Sequence, residues 1–328
     1  MDGCLSKTAF VSGATGFVGR NLIEALVASG WDVVGLHRPQ TEPPAQTGVR
    51  WVAGDVTQLK AVRAAMPSHA DAVFHAAGVT TLWRREAERQ TQVNVLGTRN
   101  MARVALEREA RRFVHVSSVT ALGLHSGTVT EETPSRGSSS QINYVRTKAL
   151  AEREIRRALR KGLPGIIVNP GHIMGPYDQS SWSRLFRLVR QRRLPGMPPG
   201  GGSFCHAPAV AQALIAAAEQ GQVGRNYLLG GANSSYAGLV QRIAELLGRE
   251  TRVRALNPRL LDAYARLEEL IAGAFNREPE ITRDAIRLLS ANVYCRSHRA
   301  EQELGYQPVD LDTILRDCQQ WLERSGRL

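Results

Sequence analysis

Three residues of this chain have the types and spacing for proton chemistry. Tyr144-Val145-Arg146-Thr147-Lys148 sets a phenol and an ammonium four residues apart, so on a helix both project from one face. A phenol with an ordinary pKa of ~10 is a poor base near neutrality, and a neighbouring ammonium is expected to favour its phenolate and bring it nearer the working range. Ser118 closes the run Val116-Ser117-Ser118 and could offer its hydroxyl to a reacting oxygen. Each residue also has an ordinary alternative. Tyr144 and Lys148 could be a surface pair on a helix, and the serines could merely end a strand.

A second constellation lies near the N-terminus. Gly13-Ala14-Thr15-Gly16-Phe17-Val18-Gly19 follows a β-branched run and opens a helical pattern whose apolar face is Val18, Leu22, Ile23, Leu26 and Val27. Glycines there permit a tight turn and close approach of backbone to a pyrophosphate, and the helix start supplies amide donors. A glycine cluster alone could be only a strand-to-helix turn, but its place between the first strand and the first helix favours a dinucleotide. The second strand candidate ends Gly35-Leu36-His37-Arg38, where an acidic residue would receive the ribose hydroxyls of NAD(H). Asp32 stands too early and Glu42 lies beyond Pro39, whereas Arg38 is placed to bind a 2′-phosphate. The expectation is NADP(H) over NAD(H), with Arg38 as a loop decoration the alternative.

These residues need a scaffold, and the first half of the chain predicts one. Strand candidates at 8–12, 33–37, 50–53, 72–75, 113–117 and 165–169 alternate with helical patterns at 19–29, 57–66, 87–109 and 144–161. That alternation predicts an α/β fold with a doubly wound parallel sheet. After Pro170 the rhythm changes to a loop at 195–202 and then to mostly helical segments with one or two short strands, such as 226–229. The expected division is a nucleotide-binding domain over 1–170 and a smaller, mostly helical substrate lobe over 171–328, which could also contribute elements back to the main domain, substrate lying between them. The segment 198–202 reads as a flexible connection, since no strand precedes it and no helix follows at once.

Composition sets bounds on function. The chain has 328 residues, 43% of them hydrophobic, enough for a large core. Cys4, Cys205, Cys295 and Cys318 are scattered, so neither a disulfide frame nor a metal site is expected, and reduced cytoplasmic thiols are the default. No apolar stretch approaches the ~18 residues of a membrane span, and no membrane partner is expected. The net charge of +12 comes from dispersed arginines, including Arg84-Arg85, Arg111-Arg112, Arg156-Arg157 and Arg192-Arg193, read as solvated helix faces. Aromatics are only 6%, and no nucleic-acid motif accompanies the basic field.

Together the strand-end serine, the tyrosine helix and the glycine turn resemble the extended short-chain dehydrogenases/reductases. These include nucleotide-sugar epimerases and dehydratases, dihydroflavonol-reductase-like ketone reductases and 3β-hydroxysteroid dehydrogenases. Further matching segments are Gly54-Asp55-Val56-Thr57, Phe74-His75-Ala76-Ala77-Gly78, Asn94-Val95-Leu96-Gly97-Thr98, Asn169-Pro170-Gly171-His172-Ile173-Met174-Gly175-Pro176 and Glu303-Leu304-Gly305-Tyr306-Gln307-Pro308, so the resemblance spans nearly the whole chain. It implies a Rossmann sheet and a catalytic set of Ser118, Tyr144 and Lys148, with Lys148 also holding the nicotinamide ribose. It also implies a cofactor site of Gly13, Thr15, Gly16, Phe17, Val18, Gly19, Arg38, Asp55, Val56, Ala76, Ala77, Gly78, Asn94, Pro170, Gly171, His172 and Ile173. Asp55 and Val56 would bracket the adenine, Ala76, Ala77 and Gly78 would line the phosphate-ribose side, and 170–173 would lie against the nicotinamide. Dimerisation through the helices at 87–109 and 144–161 is implied as well.

Departures from the family pattern narrow the function. Asn169 stands where many nucleotide-sugar enzymes have Arg, and Val119 follows Ser118 in place of an acid pair used for dehydration. Ala209 stands where relatives tend to have Asp, which weakens the resemblance there. The expected reaction is therefore reduction of a ketone or aldehyde, or oxidation of the alcohol, by NADP(H). A nucleotide-sugar epimerase with tightly held NAD is the alternative, and a non-catalytic cofactor sensor the third reading. Trp182, Arg184, Phe186 and Arg187 could face substrate, but the pattern W-S-R-L-F-R-L-V-R is also ordinary helix amphipathicity.

Overall fold

The computed structural model describes residues 6–179, 182–194, 196–249, 253–275 and 277–328. Cys4 and Pro195 lie outside these. Along the chain the strands are β1 (Thr8–Ser12), β2 (Asp32–His37), β3 (Val49–Ala53), β4 (Ala72–His75), β5 (Phe113–Val116), β6 (Gly127–Val129), β7 (Gly165–Pro170), β8 (His172–Met174), β9 (Gly201–His206), β10 (Asn226–Leu229), β11 (Ala232–Ser235) and β12 (Asn292–Cys295). The helices are α1 (Phe17–Ala28), α2 (Leu59–Ala65), α3 (Ala87–Thr91), α4 (Thr98–Glu107), α5 (Asn143–Leu159), α6 (Arg184–Arg190), α7 (Ala207–Gln220), α8 (Tyr236–Leu246), α9 (Pro258–Ala274), α10 (Arg283–Leu289), α11 (His298–Leu304) and α12 (Leu311–Arg324).

Seven strands form one parallel sheet in the order β10-β7-β5-β4-β1-β2-β3. Side chains alternate across it, as the two-residue period of a strand requires. Ala9, Val11, Val33, Phe74, Val114 and Ile166 face α1 and α7, while Phe10, Val34, Val73, Phe113 and Ile167 face α2, α4 and α5. Burial on both faces explains why the strands read as continuous apolar runs. The strand order reverses between β1 and β4, so a crevice opens beyond their carboxyl ends, where the glycine turn and Ser118 both emerge.

The second half feeds elements back to the main domain and carries more strand than the pattern suggests. The strand at 226–229 is the seventh strand of the main sheet, and α7 packs on α1, so the cut at residue 170 is crossed in space. The lobe carries more sheet than the one or two short strands expected of it. It holds a second sheet, β11-β9-β12-β6 with β8 beside β9, and β6 comes from the N-terminal half. Segment 198–202 is no free connection, because Gly201 and Gly202 begin β9 and a Cβ on Gly200 would stand 2.2 Å from the Leu289 carbonyl oxygen. Close backbone approach, rather than mobility, is what these glycines permit. The pattern at 87–109 is likewise interrupted, running as α3, a π-helical turn (Gln92–Gly97) and then α4. Among the described residues no helix is long and apolar enough to cross a membrane.

Candidate active site

The centre of the site is a cluster of hydroxyls. Ser118, extended at φ −162° and ψ 153°, caps a short 3-10 turn (Val119–Leu122), and its Oγ accepts from the Thr120 amide at 3.2 Å and the Thr120 hydroxyl at 3.0 Å. The Tyr144 hydroxyl, from the first turn of α5, faces the side chains of Ser118 and Thr120, whose hydroxyls favour its phenolate form. Burial pushes the phenol above its ordinary pKa, and those two hydroxyls restrain the rise. The expected depression by Lys148 is therefore not realised, because burial outweighs any help from the ammonium. Lys148 Nζ instead donates to the Val116 carbonyl oxygen at 3.0 Å. Burial lowers the lysine to about 8, and the Glu152 carboxylate opposes that fall.

Beneath the cluster runs a buried brace centred on Glu152, a residue that sequence reasoning did not single out. Glu152 Oε1 accepts from Ser117 Oγ and from Asn169 Nδ2, each at 2.6 Å, and Asn169 Nδ2 also donates to the Ser118 carbonyl oxygen at 3.1 Å. Tyr144, Lys148 and Glu152 recur every four residues along one face of α5. That spacing was a visible signal for Glu152. Thr120 carried none, since only the turn after β5 folds its hydroxyl onto Ser118.

The glycine turn lies on the sheet edge as its residue types require. Gly13 has φ +70°, and a Cβ there would meet the Ala77 nitrogen at 2.6 Å, so only glycine fits against Ala76 and Ala77. A Cβ on Gly19 would stand 2.1 Å from the Gly13 carbonyl oxygen. Gly16 caps α1 with no side-chain hydrogen bond, which leaves first-turn amides without a side-chain acceptor beside Thr15, Phe17 and Val18. A methyl added to Gly78 would come 3.8 Å from Lys148 Nζ and 3.4 Å from Asn94 Oδ1, placing the lysine beside this strip. Asn94 occupies the π-helical turn, where its amide receives the Val79 N–H and donates to the Val79 carbonyl and to Thr147. Its polar atoms thus fix the 78–80 strip instead of reaching outward.

Asp55 Oδ1 is bound by the Thr57 amide and hydroxyl, both at 2.8 Å, and the Val56 carbonyl is held by Asn100. Arg38 is exposed at the end of β2, and among the described residues no carboxylate pairs with it. This cradle fits a dinucleotide: no side chain fills the glycine turn, and a cation stands at the second strand's end.

Pro170 ends β7, and Gly171, His172 and Ile173 follow it into β8. His172 Nε2 lies 2.9 Å from the Tyr236 hydroxyl, and the imidazole is flanked by Trp182 and Phe204. Burial lowers its pKa to about 4, so it is neutral at pH 7. A cleft of about 410 Å³ opens beside the hydroxyl cluster, lined by Val119, Thr120, Gly123, Leu124, Gly171, His172, Ser203, Tyr236, Leu288, Val293 and Cys295. None of these is charged at neutral pH. Arg184 and Arg187 do not line it, since they donate to the Glu280 and Gln179 carbonyls. A second, narrower cleft reaches Tyr144 between Trp83, Asn143 and Asp284, where Arg84 bridges to Asp284 at 2.9 and 3.1 Å. Cys205 is buried with its thiol on the Leu229 carbonyl and its pKa pushed up to about 12, an inert packing group.

Comparison with known proteins agrees with this architecture. The NAD dependent epimerase/dehydratase family matches over residues 9–230. Sterol demethylase protein B of Methylococcus capsulatus is 30% identical over 330 residues, covering 98% of this chain and all of that protein. The 4-hydroxy-2-methyl-3-oxo-4-farnesyl-3,4-dihydroquinoline-1-oxide ketoreductase of Stigmatella aurantiaca is 31% identical over 309 residues, covering 90% of this chain and 91% of that one. The crystal structure of gox2253, 30% identical, superposes with a TM-score of 0.85 over 98% of this chain and all of that one. With a parallel sheet that reverses order beside a glycine turn, and a family match that runs from β1 into β10, this chain belongs to the NAD dependent epimerase/dehydratase family of extended short-chain dehydrogenases/reductases and is an NAD(P)-dependent enzyme.

Proposed function

We propose that the enzyme reduces a ketone or aldehyde on a largely apolar substrate with NADPH, using Ser118, Tyr144 and Lys148. The observation that carries this reading is the Ser118–Thr120–Tyr144 hydroxyl cluster set against an uncharged cleft. Bound dinucleotide supplies hydride; the protein must hold the carbonyl oxygen and protonate it. Ser118 orients that oxygen, and Tyr144 gives it the phenolic proton. The raised pKa of Tyr144 suits this direction, because the phenol stays protonated through neutral pH and serves as an acid. Lys148, near Gly78 and the Val116 carbonyl, holds the ribose end and keeps positive charge near the developing phenolate.

Arg38 supports NADP(H), as a cation without a carboxylate partner among the described residues, placed where a 2′-phosphate would lie. The same reasoning weakens the nucleotide-sugar alternative. A diphosphate calls for cations in the substrate cleft, and no arginine or lysine is among the residues that line the uncharged cleft. The relatives named for ketoreduction and sterol chemistry lean the same way. The expected assembly is a cytoplasmic homodimer through the outer faces of α4 and α5.

The test is a screen of apolar ketones that follows NADPH oxidation in the purified enzyme and in Tyr144→Phe. Stoichiometric oxidation in the wild type, reduced about 10²- to 10⁴-fold in the variant, supports the proposal. Firmly retained NAD with no net consumption, together with interconversion of nucleotide-sugar epimers, would replace it by the epimerase reading.

A further inference from the structure

One surface of the lobe remains unexplained by dinucleotide or substrate. Of the eight large apolar side chains that are exposed among the described residues, six lie on α9 and its C-terminal cap: Leu260, Tyr264, Leu267, Leu270, Ile271 and Phe275. Leu260, Leu270 and Phe275 are 70%, 72% and 76% exposed. At 3.6 residues per turn these six fall within an arc of about 140°. The opposite face is already used, with Leu261 and Ala265 packed on Ile286 of α10. So α9 is amphipathic twice over, buried on one side and apolar toward solvent on the other, which a lone stray hydrophobe would not produce.

Charge around the arc is one-sided. Arg259 and Arg266 flank the Leu270 edge, and Arg254 precedes the helix. Arg254 and Arg259 make no ion pair among the described residues. Two acids of α9 turn away from the arc, Asp262 bound by Arg266 and Arg283 and Glu269 by the Arg283 amide, while Glu268, at the Phe275 edge, is buried and paired with Arg277. A convex apolar ridge edged by arginine, on a chain of net charge +12, matches the surface of an anionic bilayer. A second copy would present the same acid-free edge and leave those arginines without a carboxylate to meet.

We propose that α9 docks in the plane of an anionic phospholipid surface, its apolar arc among the headgroups and acyl boundary. This goes beyond the reductase reading and does not depend on it. It also revises the expectation of no membrane partner, which was argued from the lack of a spanning segment and does not bear on a helix lying flat. α10, on which α9 packs, sends Leu288 into the uncharged cleft, so docking would bring the cleft wall toward the lipid.

The test is co-sedimentation of the full chain with vesicles of phosphatidylglycerol and phosphatidylcholine, or of phosphatidylcholine alone. The expected result is binding to the anionic vesicles that weakens as salt rises. In the triple variant Leu267→Gln, Leu270→Gln, Phe275→Gln the bound-to-free ratio should drop about tenfold or more, and the double variant Arg254→Glu, Arg259→Glu should bind anionic vesicles more weakly than wild type. NADPH binding, followed by fluorescence, should be unchanged in both variants. Wild type that stays in the supernatant with every vesicle overturns the proposal, as does arginine-variant binding equal to wild type. A wild-type dimer in sedimentation velocity that the triple variant breaks into monomers, without vesicle binding, would instead assign this face to a second copy.

Discussion

At Lys148 two opposing effects set the charge: burial strips water from the ammonium, and the Glu152 carboxylate one turn further along α5 stabilises it. The balance lies at about 8, so the cation prevails at pH 7 and is lost as pH rises through that value. Reduction that needs the cation should therefore be full near neutrality and fall on an alkaline limb near pH 8. Replacing Glu152 by Gln removes the effect that raises the lysine, and the limb should move to lower pH in a profile of kcat/KM. A limb that does not move would separate Lys148 from the titration. At the other end of the cofactor cradle, Arg38→Ala should raise KM for NADPH about tenfold to a hundredfold, the loss of one or two charge-assisted hydrogen bonds, while leaving NADH nearly unaffected. Equal effects on both cofactors would remove Arg38 from the 2′-phosphate site.

The elements show why some residues tolerate nothing else. Gly13→Ala forces a Cβ into the Ala76–Ala77 backbone at a left-handed φ, and urea denaturation should find it less stable by about 2 kcal/mol, with dinucleotide affinity lost in parallel. Wild-type affinity in this variant would show that the turn has no part in binding. The glycine turn, the strand-end serine and the spacing of tyrosine and lysine were all readable because each is local: strand, turn and one helix face. Thr120 was not readable, since its hydroxyl reaches Ser118 only through a short 3-10 turn. The π-helical turn at Asn94 was equally hidden. The sequence at 87–109 reads as one helical pattern, and nothing in it marks the π-helical turn that holds Asn94 against Val79.

Across the whole molecule, contacts far apart in sequence close the site. Arg84, ahead of α3, clamps Asp284 of α10, which is almost fully buried. Removing the arginine leaves that carboxylate with Arg287 at 3.8 Å as its remaining ion-pair partner. Because Arg84 itself is more than half exposed, the loss in Arg84→Ala should be about 1–2 kcal/mol, below the cost of breaking a fully buried pair. It should appear as a lower Tm together with a raised substrate KM, since the clamp borders the narrow cleft to Tyr144. An unchanged Tm would mean that solvent already screens the pair.

What the sequence by itself determined was the parallel sheet, the glycine turn after its first strand, Ser118 at a strand end and Tyr144 and Lys148 on one helix, because each rests on periodicity or on a backbone conformation that few residue types allow. What only the tertiary structure decided was the charge state and surroundings of those groups. The phenol rises instead of falling because burial is a property of everything packed around it, not of the lysine four residues on. The second sheet, the return of 226–229 to the main sheet and the outward apolar face of α9 were likewise decided in space. Whether a strand finds a partner, and whether a helix face is covered, depends on segments that the neighbouring sequence does not contain.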